Sequence, residues 1–193
     1  MSNLLFVLWM SLSAGLLLLF FYAAYRNLRN RQVRHVDLGE LIPSFLPVDV
    51  EAFASLVDLS PKDSRGTDEQ EDLQRVHLTI ECLRRMTHNA ALLQRLGYAQ
   101  LHSPNQLISD LAQEMIDAGV HVRLYTFVGL LALHAWTRFR FAIGPLTRMP
   151  KFGDLQNLLL SSLIPSYELL KTKAGNLTCL KFSSLHEELA QSL

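Results

Sequence analysis

VHVRLYTFVGLLALHAWTRFRF, residues 120–141, is the stretch whose reading decides the fold. As a second membrane span it would make this a two-pass protein; as a core helix it makes the same residues the centre of a helical bundle. Between Arg123 and Arg138 lie 14 residues, and His134 is among them. Fourteen residues of helix reach about 21 Å, short of a hydrocarbon core of about 30 Å. An apolar run of that length reads as a core helix. The alternative is a helix that contacts an interface or a partner. Gly144-Pro145 closes it.

The span is found elsewhere. Leu4 to Tyr25, LLFVLWMSLSAGLLLLFFYAAY, is 22 residues without a charge, about 33 Å as a helix. A signal peptide would show basic residues before a shorter apolar run. Here the leader is Met-Ser-Asn, and Arg26, Arg29, Arg31 and Arg34 follow the run instead. The segment is therefore read as a retained anchor. Because basic flanks stay on the cytoplasmic side, the N-terminus lies outside and the rest of the chain in the cytoplasm. Ser11 and Gly15 form a small-xxx-small pair that admits close approach of another membrane helix.

Outward from these two stretches the chain punctuates itself. Gly39, Pro43 and Pro47 mark a connector, and DVEAFASLVDL spaces Val50, Phe53, Leu56 and Val57 as a short helix over 48–58. Thr67-Asp68-Glu69-Gln70 fits a capping box opening a helix that ends at Gly97. Ser103-Pro104-Asn105-Gln106 fits a second one, opening an amphipathic helix (Leu107, Ile108, Leu111, Met115, Ile116) that ends at Gly119. The pattern over 153–175 is helical, with a kink or break at Pro165, and a short helix closes the chain over 182–193. No sustained β-branched alternation occurs. The fold class is all-α: one N-terminal membrane helix and a cytoplasmic bundle of five to six helices. The domains are an anchor with its basic flank over 1–36, a connector over 37–66 and a bundle over 67–193.

Net charge is zero, yet residues 36–119 hold 6 basic and 14 acidic side chains, whereas residues 120–181 hold 8 basic and 2 acidic. Attraction between the halves, or lipid contact through the basic 120–181 region, accounts for that asymmetry. The basic residues are dispersed and carry no nucleic-acid motif, so no nucleic acid is expected. Cys82 and Cys179 show no zinc spacing and stay reduced in the cytoplasm. The commonest hydrolase, nucleotide-binding and calcium-binding signatures are missing.

HLTIECLRRMTH, residues 77–88, looks most like chemistry. His77, Glu81, Arg84 and His88 share one helix face. His88 sits about 16 Å along the axis from His77, too far to share a metal with ligand distances of about 2 Å. No metal or cofactor is expected. The four residues are candidates for ligand or partner contact, on a face of the kind that is most often solvated. Cys82 falls on the apolar side with Leu78 and Met86, where a free cysteine acts as a small hydrophobe. The function expected is a non-catalytic interaction module or accessory subunit, with the bilayer and another membrane or cytoplasmic protein as partners. An enzyme or small-ligand binder using His77, Glu81 and His134 is the alternative.

Overall fold

A computed structural model describes residues 38–57, 69–143 and 153–181. The chain divides between His35 and Val36, and all that follows concerns the second unit. The anchor Leu4–Tyr25 with Ser11 and Gly15, the arginines at 26, 29, 31 and 34, and the closing helix over 182–193 lie outside the described residues.

The described residues are all-helical, with no strand. A one-turn helix α1 (Leu38–Leu41) and a 3-10 turn (Ile42–Ser44) lead through an extended stretch to α2 (Val50–Val57). Asp49 starts α2 by accepting the Ala52 N–H at 2.9 Å. Two long helices follow, α3 (Glu69–Gln100) and α4 (Gln106–Ile143). Last comes α5 (Gly153–Asn157), continued without interruption by a π segment (Leu158–Leu163) and α6 (Ile164–Lys181).

Helices α3 and α4 are an antiparallel pair, and its seam has a 3-4 repeat. On α3 the buried positions run Val76, Thr79, Leu83, Met86, Ala90, Leu93, Gly97, Gln100. On α4 they run Ile108, Ala112, Met115, Gly119, Val122, Thr126, Gly129, Leu133. Steps of three and four average 3.5 residues, the period that keeps one stripe of a helix facing its partner. Cross-seam neighbours confirm the direction: residue 97 meets 116, 94 meets 119, and 83 meets 129, while 87 meets 126. As one number falls the other rises.

Two glycines that read as helix ends are seam residues instead. A Cβ on Gly119 would lie 2.4 Å from Gln94 Cγ, and one on Gly97 would lie 2.9 Å from Ile116 Cγ1 and 3.1 Å from the Ala112 carbonyl oxygen. Both glycines are helical and let the backbones approach. So α3 runs on to Gln100, and the helices read separately before and after Gly119 are one helix of 38 residues. This merger leaves four helices of eight or more residues among those described, fewer than the five to six expected. The start of α4 also shifts. Asn105 rather than Ser103 is its cap, taking the Leu107 N–H on its side chain at 3.0 Å and the Ser109 N–H on its carbonyl.

Pro165 does not break its helix, which runs on from the π segment to Lys181. The preceding residues widen into the π segment, whose last carbonyl pattern has Ile164 N–H reaching back to Leu159 O. A wider turn accommodates the ring and the missing N–H that would otherwise disrupt the ladder. This last helix packs along α4 and the end of α3 through Leu159, Leu163, Tyr167, Leu170, Ala174 and Leu177, all essentially buried. Lys173 pairs with Glu114 of α4, an ion pair between the basic and acidic halves.

Candidate functional site

The polar residues of α3 gather where the 44–47 segment crosses it. Phe45 and Phe53 enter the core from the connector and α2, and the backbone between them is gripped by side chains of α3. Asn89, fully buried, accepts the Leu46 N–H on Oδ1 at 2.9 Å and donates from Nδ2 to the Leu46 carbonyl at 2.7 Å. Its remaining N–H reaches the Tyr167 hydroxyl at 3.0 Å, which ties α6 into the same node. His88 donates from Nε2 to the Ser44 carbonyl at 3.0 Å, since a carbonyl can only accept. Arg85 donates to the Pro47 carbonyl at 3.3 Å and forms an ion pair with Glu81 at 2.9 Å.

Of the four residues that the sequence singles out here, two take part in this clamp. His88 holds the connector directly, and Glu81 does so through Arg85, whose hydrogen bond and charge keep the Glu81 carboxyl below the usual carboxylate range. His77 and Arg84 are exposed on the same helix. Asn89 and Arg85, which the sequence reading passed over, make the contacts that decide the geometry. Their signal was present: an Asn inside a helix forgoes helix propensity and calls for a specific partner.

The face between α3 and α4 carries a second polar lock. Buried Gln94 donates from Nε2 to the Ile116 carbonyl at 3.1 Å and accepts Arg123 Nη1 at 2.8 Å on Oε1. Further along the pair, the Thr87 hydroxyl donates to that of Thr126 at 2.7 Å, and Thr126 donates to the Val122 carbonyl. His134 is exposed, and its Nδ1 lies 2.7 Å from the Leu130 carbonyl of its own helix. Cys82 is half-buried against the core, where burial raises its thiol pKa; Cys179 is exposed. Among the described residues no group of three or more His, Cys, Asp or Glu side chains is placed to hold a metal ion.

Among the described residues, a run of exposed apolar side chains lies on the outer side of α4. Val120, Leu124, Phe127, Val128 and Leu131 are all exposed, Leu131 to 59% and Leu124 to 53%. Asp117, Val120, Leu124, Phe127, Leu131, His134 and Arg138 follow steps of three and four, a second seam diametrically across the helix from the first. Asp117 bounds the apolar band at one end and Arg138 at the other, both exposed. The residues Gln106–Ala135 of this helix are, by length and composition, the one stretch among those described that is long and apolar enough to cross a membrane. Its inner side is nevertheless committed to α3 and the last helix.

No known protein family, no curated protein and no solved structure matches the chain significantly.

Proposed function

We propose that this is a membrane-anchored, non-catalytic interaction module: an anchor and basic flank over 1–36, a connector over 37–66, and a helical bundle over 67–193 displayed in the cytoplasm. The observation that carries the reading is the outer seam of α4. Four large apolar side chains in a 3-4 repeat (Val120, Leu124, Phe127, Leu131), with Val128 beside them, have no partner helix among the described residues, and an exposed contiguous apolar patch on a folded domain marks a binding surface. Two of the polar side chains that resembled a reaction centre support the same reading: His88 holds the connector backbone directly, and Glu81 is paired with Arg85, which holds it too.

Gentle solubilisation of membranes carrying the tagged full chain tests it. A stable companion should co-purify with the wild type, and the yield should fall when Leu124 and Leu131 are changed to Ser. A chain recovered as a monomer, with neither another protein nor a second copy bound, would refute the reading. Orientation is tested separately: a reporter fused after Leu193 should be active only on the cytoplasmic side.

Lipid contact is the second reading, favoured by the span-like composition of α4 and by the basic excess over 120–181. Under it, α4 lies along the bilayer surface with its outer seam in the headgroup region.

A further inference from the structure

We infer that the occupant of the outer α4 seam is a second copy of this chain, its α4 laid antiparallel across a two-fold axis close to Phe127. The inference rests on the reading of this face as an interaction surface and names the partner.

A two-fold interface places each surface residue against the residue that mirrors it through the axis. On α4 this condition is met by sequence position. Take a centre between Phe127 and Val128. Leu124 and Leu131 are then equally far from it, as are Val120 and Ala135, and Asp117 and Arg138. Antiparallel pairing through that point sets Leu124 against Leu131 twice, brings Phe127 beside its own copy, and puts Asp117 opposite Arg138 at both ends. The leucines meet each other, each acidic end meets a basic end, and Val120 meets Ala135 with the seam's exposed His134 next to it. A parallel pairing would instead set Asp117 against Asp117 and Arg138 against Arg138, which like-charge repulsion disfavours.

The repeat supports a helix as the partner. Steps of 3-4-3-4 from Asp117 to Arg138 extend over about 30 Å, long enough for a continuous helix to follow. They match the period of the inner seam, where α3 already sits as an antiparallel helix. A bilayer surface imposes no such register and no alternation of charge at the two ends. The outer face before Asp117 is polar (Asp110, Gln113), so the apolar band stops where the mirrored contact would stop.

The test uses the full chain in its membrane, with Cys82→Ala and Cys179→Ser removing the native thiols. Two differently tagged copies are co-expressed, one carrying Leu124→Cys and the other Leu131→Cys, and the membranes are oxidised. The mixed pair should form a disulfide dimer several-fold more abundant than either variant alone. In a parallel arrangement Leu124→Cys would instead link to itself, and that result overturns the proposal. So does the absence of any link.

Charge reversal gives an independent arm. Asp117→Arg alone and Arg138→Asp alone should each reduce co-purification of the two tagged copies several-fold, and the double variant should recover it. Reduction without recovery overturns the antiparallel register. If the copies do not associate while another protein co-purifies through the same residues, the second-copy proposal fails and the interaction-module reading stands. If a water-soluble maleimide is excluded from Leu124→Cys only while lipid is present, with no association of copies, the bilayer occupies the seam and the proposal fails.

Discussion

Single residues carry more of this fold than their frequency suggests, and Asn89 carries the most. It serves the backbone of one segment and the hydroxyl of Tyr167 from inside the core. Asn89→Ala would leave the Tyr167 hydroxyl and the Leu46 groups without these partners. Unmet buried polar groups cost about 1–3 kcal/mol, so the unfolding free energy from a urea titration should fall by an amount of that order. Tyr167→Phe should fall less, because Asn89 keeps both bonds to Leu46. The Tyr167 phenol itself has a pKa raised by burial, with the Asn89 hydrogen bond opposing. A raised folded pKa means stability is intact below the unfolded value of about 10 and declines as pH climbs from there through the folded value. Tyrosinate absorbance should accordingly show a component that ionises above the ordinary tyrosine value, together with loss of helical signal. A thiol reagent offers a simpler check: Cys179, exposed, should react ahead of Cys82, half-buried with its thiol pKa raised. None of these partnerships could be seen in sequence, since 43 positions separate Leu46 from Asn89 and 78 separate Asn89 from Tyr167.

At the scale of elements, glycine shows what was legible and what was not. The all-helical class and the short helix after Asp49 follow from periodicity alone, whereas residues 120–141, read as a core helix from their length, bury Val122, Thr126 and Leu133 and expose Leu124, Phe127 and Leu131. The ends of α3 and the unity of α4 do not follow from periodicity, because a glycine after an apolar run has the same appearance whether it caps a helix or admits a neighbour. The inner seam was hidden for the same reason: its 3-4 positions include Thr79, Ala90, Gly97, Gln100, Ala112, Gly119, Thr126 and Gly129, and a search for large apolar residues passes over them. Packing, rather than hydrophobicity, identifies these positions. Gly119→Ala separates the two roles. Alanine improves helix propensity by about 1 kcal/mol, yet its Cβ would meet Gln94 Cγ at 2.4 Å. Gln94 is anchored at both its amide oxygen and its nitrogen, so it cannot swing away without losing those bonds. Overpacking costs about 1–3 kcal/mol, and thermal unfolding should show a net loss of stability; a higher melting temperature would mean the glycine was only a weak helix residue.

For the molecule as a whole, the prediction concerns what residues 36–193 do without the segment that precedes them. The chain divides between His35 and Val36, and the core running from Phe45 to Leu177 belongs to the second unit. That core joins α2, α3, α4 and the last helix, and its buried polar groups have partners among the described residues. A chain beginning at Val36 should therefore fold, with a helical spectrum and one cooperative unfolding transition. Its surface properties then depend on α4. If the outer seam is made for protein, the shortened chain should stay in solution as a concentration-dependent associating species and should not float with anionic vesicles. Adding Leu124→Ser and Leu131→Ser should leave its spectrum unchanged, because both side chains are exposed, while abolishing the association. If the seam is made for lipid, the shortened chain should float with vesicles, and the two serines should release it. The sign of one flotation experiment thus tells whether protein or lipid meets the outer seam of the helix whose reading decided the fold.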